Sequence, residues 1–125
     1  MDKAELKRRT QKFAIDTIRF IEKLPNGRLA DVLGKQVLRS ATSVGANYRS
    51  ACKAKSTADF INKIVICEEE ADECIYWFEL IIASGLSVND YIESLKKEAD
   101  ELTAIFTAIA KTAKTNQQLK KSTAA

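Results

Sequence analysis

The sequence predicts an all-α fold, an up-down-up-down antiparallel four-helix bundle, on three observations. Glycine and proline are scarce, four and one in 125 residues, which leaves little turn material for a set of short strands. Breaks fall at three places: Pro25-Asn26-Gly27, Lys53-Ala54-Lys55-Ser56 and Ser84-Gly85-Leu86-Ser87. Between them, apolar residues recur in steps of three and four, the period of one helix face. With 46% hydrophobic and 30% charged side chains, a chain of this length suits one domain whose core needs neither disulfides nor metal.

The first segment places Leu6, Phe13, Thr17, Phe20, Ile21 and Leu24 on one face. Pro25 then forbids continuation, because its ring lacks an N–H and clashes with the preceding turn. The second segment does the same with Leu33, Val37, Ala41, Val44, Tyr48 and Cys52. The third opens at Ser56-Thr57-Ala58-Asp59, where a hydroxyl can cap the helix and a carboxylate meets its positive end. Its predicted stripe is Ile61, Ile64, Glu68, Ala71, Ile75, Phe78 and Ile82. The fourth repeats the cap in Ser87-Val88-Asn89-Asp90 and the stripe in Ile92, Leu95, Ala99, Leu102, Phe106, Ile109 and Ala113. A seven-residue repeat implies nearly aligned helices crossing at about 20°. The stripe is lost from Thr115, so the expected division is a bundle over residues 1–114 and a frayed tail over 115–125.

Composition also excludes chemistry. Without a single histidine there is no Ser-His or Cys-His nucleophilic site, no HExxH zinc enzyme and no Glu-x-x-His metal site of the ferritin-like kind. Cys52, Cys67 and Cys74 form an odd set with no C-x-x-C pair, which suits reduced, buried thiols rather than a metal centre. No apolar run follows the charges of Met1–Arg9, and none elsewhere is long enough to span a bilayer. The expectation is a cytoplasmic protein with no membrane partner, no catalytic residues, no metal and no cofactor.

The charge pattern is more informative than the net charge, which is only +3. On a wheel of about 100° per residue, Arg28, Lys35, Arg39, Arg49 and Lys53 fall within about 80° of one another, opposite the apolar face of the second segment. Such a stripe, about 38 Å long, could contact successive phosphates; the alternative is a plain solvated face. The third segment is acidic, with Asp59, Glu68, Glu69, Glu70, Asp72, Glu73 and Glu79 against Lys63. Solvation and ion pairing to the second segment explain these acids better than a metal site. Glu68 sits inside the predicted apolar stripe, so a buried carboxylate there requires a donor, for which Arg39, Thr17 and Ser43 are candidates. Ile66, Trp77 and Ile81 are expected on the outer side of the third helix, as an anchor for another subunit.

The stretch Leu38-Arg39-Ser40-Ala41-Thr42-Ser43-Val44-Gly45-Ala46-Asn47, followed by Asp59-Phe60-Ile61, Glu69-Glu70-Ala71-Asp72-Glu73 and Tyr76-Trp77, resembles the four-helix bundle family of large-subunit ribosomal RNA intervening-sequence proteins. The resemblance runs from about Phe13 to Leu86. It departs where many members carry a Glu-Gly pair and this chain has Ser50-Ala51 after Arg49. Relatives of that family include accessory variability proteins of diversity-generating retroelements, pentameric rings that bind nucleic acid and a reverse transcriptase. The resemblance thus implies a non-catalytic homo-oligomer, a pentamer by analogy, with a reverse transcriptase as a candidate partner. The basic stripe, in which no aromatics interleave, adds the expectation that it binds RNA or DNA without sequence preference. The rival expectation is a scaffold in which the basic stripe and the acidic helix pair across subunits and nucleic acid plays no part.

Overall fold

Asp2 starts the first helix: its carboxylate accepts from the Glu5 N–H at 2.8 Å, filling one of the orphan donors of the first turn. In the computed structural model of the chain, which describes residues 1–124, four helices follow one another: α1 (Lys3–Glu22), α2 (Arg28–Cys52), α3 (Thr57–Ala83) and α4 (Asp90–Ala124). Each of the three sequence breaks ends one helix and starts the next. Ser56 caps α3 as its spacing predicts, accepting from Asp59 N–H at 3.1 Å. The α3 terminus is a Schellman turn: Leu86 N–H donates to Ile81 at 3.2 Å and Gly85 N–H to Ile82 at 3.0 Å. Gly85 takes φ +78° there, a conformation that a Cβ would strain. The cap of α4 lies two residues later than expected, at Asn89, whose side chain accepts from Ile92 N–H at 3.0 Å.

The helices pack in ring order, α1 on α2, α2 on α3, α3 on α4, with α4 closing on α1. Their antiparallel course reads off paired levels along the chain. An added Cβ at Gly45 would meet the Thr10 side chain at 3.3 Å, and one at Gly34 would meet Ile21 at the same distance. These two glycines let α2 lie close along α1. Phe78 meets Phe13 and Phe20 edge-on, with centroids 6.4 and 6.3 Å apart, and Tyr48 meets Phe106 at 5.7 Å. The buried threonines of α1 satisfy their hydroxyls locally, Thr10 donating to Leu6 at 2.9 Å and Thr17 to Phe13 at 2.8 Å.

Two expectations are corrected here. The α3 core face is Ile61, Ile64, Cys67, Ala71, Cys74, Phe78 and Ile81, so Cys67, Cys74 and Ile81 take the places predicted for Glu68, Ile75 and Ile82. The reason is that α3 is flanked by α2 and α4 and carries apolar residues around much of its circumference. A heptad stripe then marks one edge of a wide arc, whereas packing turns the small thiols inward. The second correction concerns the end of the chain. Helix α4 continues through Thr115 to Ala124 instead of fraying, although its last buried side chain is Ala110; Ala125 lies outside the described residues.

Candidate functional site

Helix pairing sorts the charges by level. Thr10 touches Gly45, the Cys67 thiol donates to Val44 carbonyl at 3.5 Å, Thr107 donates to Glu68, and Phe60 borders Ala108, Ile109 and Thr112. One end of the bundle therefore gathers residues 1–12, 41–69 and 107–124. That end holds 13 of the 20 basic residues and 5 of the 17 acidic ones, with Arg9 at its inner edge paired to Glu98 and Glu101 just beyond it; the other holds 7 and 12. A chain of net charge +3 is thus folded into a strongly basic end and an acidic end. The contrast is sharpest on α4, which has no acid after Glu101 but carries Lys111, Lys114, Lys120 and Lys121.

The predicted stripe on α2 is exposed at all five positions, Arg28, Lys35, Arg39, Arg49 and Lys53, but the fold divides it. Arg39 turns to α3, where it pairs with Glu70 at 3.2 Å and with Glu73 and donates to Ser40 at 3.1 Å. Burial opposes the charged form of Glu73, yet hydrogen bonds from Trp77 and Arg39 outweigh it and hold the carboxyl below its usual range. Arg28 and Lys35 lie in the acidic half, where Lys35 borders a shallow cleft together with Glu22 and Asp31. Arg49 and Lys53 lie in the basic half and join no ion pair among the described residues.

A groove of about 590 Å³ lies between α1 and α2, lined by Lys7, Arg8, Thr10, Gln11 and Ala14 on one side and Thr42, Gly45, Ala46 and Arg49 on the other. Lys7 and Arg8 lie outside the stripe predicted on the second segment. Their signal was present as the cationic run Lys7-Arg8-Arg9, but only the pairing of Thr10 with Gly45 brings it level with Arg49. Arg9 is spent elsewhere, clamped to Glu98 by two hydrogen bonds of 2.8 and 2.7 Å and to Glu101 at 3.1 Å.

The remaining predicted residues fall as follows. Glu68 is half-buried rather than enclosed, and its donor is Thr107 of α4, not Arg39, Thr17 or Ser43; the one-residue shift of the α3 face moves it to the α3–α4 seam. Ile81 is fully buried and cannot serve as an outer anchor, for the same reason. Ile66 and Trp77 are half-buried, with the indole N–H donating to Glu73 at 3.2 Å. The exposed aromatic of that region is Tyr76, which meets Trp77 at 5.1 Å. Cys67 and Cys74 are buried and Cys52 is partly buried, all as free thiols; burial pushes the Cys67 thiol up to about 12, far from a reactive thiolate. Among the described residues no three His, Cys, Asp or Glu side chains are grouped to hold a metal, and no helix is long and apolar enough to cross a membrane.

Fold and surface together define a small antiparallel four-helix bundle distinguished by its polarised charge. The sequence model of the 23S rRNA-intervening sequence protein family matches residues 2–108, and the chain belongs to that family. It is similar to a crystal structure from Bacteroides thetaiotaomicron, a protein of unknown function from the S23 ribosomal protein family, with 37% identity and a TM-score of 0.81 over 89% of this chain and 99% of that one. No curated protein matches the chain.

Proposed function

We propose that the chain is a non-catalytic bundle that binds the backbone of RNA or DNA without sequence preference, through its basic end. One observation carries this reading: the fold collects 13 of 20 basic residues, but only 5 of 17 acidic ones, at one end. Lys and Arg gathered in that way neutralise phosphates and release counterions, which gives affinity that falls steeply with salt. Arg49 and Lys53 are the part of the α2 stripe that takes this role, with the lysines of α4 extending the same field. Arg39, held by Glu70 and Glu73 within its own chain, is withdrawn from it. The name of the family, which refers to an rRNA intervening sequence, agrees with a polynucleotide partner. An accessory role beside a nucleic-acid enzyme suits such a bundle, which would hold the strand while the partner supplies chemistry.

The test is fluorescence anisotropy of nuclease-treated protein with labelled RNA and DNA of unrelated sequence over a range of salt. Binding of both, weakening steeply with salt, is the expected result; no binding at low salt overturns the reading and favours the scaffold. Self-association is the second part of the proposal. Leu29 and Val32 of α2 and Tyr76 of α3 are exposed apolar side chains, with Ile66 and Trp77 half-covered on the same helix as Tyr76. A second copy would bury them. Light scattering at micromolar concentration should give a multiple of 13.9 kDa, reduced by Tyr76→Ala with Trp77→Ala; a monomer mass overturns it.

A further inference from the structure

We infer that the groove between α1 and α2 seats the sugar–phosphate backbone of one nucleic acid strand, with a phosphate held across its mouth by Lys7 and Arg8 of α1 and Arg49 of α2. This rests on the reading of the bundle as a nucleic-acid binder and assigns the place where the strand lies. Thr10 meets Gly45 at the groove floor. In an antiparallel pair, one turn towards the bundle end then brings Lys7 and Arg8 level with Arg49. All three are charged groups without an ion-pair partner among the described residues. Three cations from two helices converging on one concavity repel one another unless an anion lies between them.

The lining also defines the ligand. Lys7, Gln11 and Ala14 stand at i, i+4 and i+7 on α1, and Thr42, Ala46 and Arg49 at the same spacing on α2. The groove walls thus run about two helical turns, roughly 10 Å. Beyond the cations, Gln11 and Thr42 offer neutral polar groups, while Ala14, Gly45 and Ala46 leave a low apolar floor. The volume of about 590 Å³ falls within the range of sites that enclose more than a lone phosphate. No aromatic side chain lines the groove, so bases have nothing to stack on and the backbone is the part recognised. Gly45 keeps the floor deep, because a Cβ there would meet Thr10.

The experiment compares variants of the full chain for binding a labelled single-stranded RNA and a single-stranded DNA of unrelated sequence at low salt. Ala46→Trp plugs the groove without changing charge at an exposed helical position, and should weaken binding about tenfold with an unchanged circular dichroism spectrum. Thr42→Trp, also exposed, plugs the opposite end of the same wall and serves if the first variant misfolds. Lys7→Gln with Arg8→Gln should weaken binding several-fold more than Lys111→Gln with Lys114→Gln, although both pairs remove the same charge. If the plugs change affinity less than twofold and the two double variants are equal, the strand lies on the outer surface; this inference falls while the wider reading stands. If the unaltered chain binds neither RNA nor DNA, both fall.

Discussion

Arg39 and Arg49 lie on the same helix and the same side of a helical wheel, yet meet opposite surroundings. Arg39 reaches across the α2–α3 seam to Glu70 and Glu73. Arg49 faces the α1–α2 groove, whose opposite wall presents Lys7 and Arg8. In the acidic half the cation ties two helices together, whereas in the basic half Arg49, which has no ion pair among the described residues, adds to a field in which cations outnumber carboxylates. A stripe on one helix is therefore not a functional unit; the neighbouring helix decides what each member does. The same contrast explains how a nearly neutral chain can present a concentrated positive surface.

The largest effect expected concerns whether the two halves are one folded body. Phe78 lies in the acidic half against Phe13 and Phe20 and is fully buried. Phe78→Ala should cost about 3–5 kcal/mol, read from denaturant unfolding. Trp77 fluorescence and far-ultraviolet circular dichroism should shift together, and separated transitions would break the comparison by showing that the halves unfold independently.

The next test divides the α2 stripe. Arg49→Glu with Lys53→Glu should lower affinity for unrelated RNA and DNA by at least about tenfold and reduce the salt slope by about two. Arg28→Glu with Lys35→Glu makes the same change of charge in the acidic half and should have a smaller effect, within about threefold. Equal losses measured by anisotropy would mean that the whole stripe acts as one surface.

A smaller effect is expected at the paired cation. Arg39→Ala should cost about 1 kcal/mol or less, since the guanidinium is exposed although Glu70 and Glu73 are half-buried, and should leave nucleic acid affinity nearly unchanged. The pH dependence follows from Glu73, whose folded carboxyl is held below its usual range. Its contribution is present in full above the unfolded carboxylate range and is lost as pH falls through the lowered folded value. Glu73→Gln should remove that part of the acid-side loss, measured by urea unfolding between neutral and acidic pH; an unchanged slope would show that the Arg39 pair contributes nothing. The smallest effect is predicted for Glu68. Being half-buried and bonded to Thr107, it should tolerate replacement by Gln at about 0.5 kcal/mol or less, whereas a loss of several kcal/mol would restore the enclosed carboxylate first expected from its spacing.

By itself the sequence determined the number of helices, their breaks and most of their buried faces. Those rest on local rules: Pro25 cannot continue a helix, Ser56 can cap one, and Phe13, Phe20, Val37 and Phe106 recur at helical period on faces that must leave water. It also carried the resemblance that the family match confirms. Only the tertiary structure decided which way α3 rolls, because a helix apolar over so much of its circumference is set in register by its neighbours rather than by its own period. That roll buried Ile81 and Cys67 and moved Glu68 to a seam. Only the pairing of helices could divide the α2 stripe or reveal the groove, because Lys7 and Arg49 lie 42 positions apart in the chain. Charges so separated in sequence become one site when Gly45 lets two antiparallel backbones come close enough to bring them level.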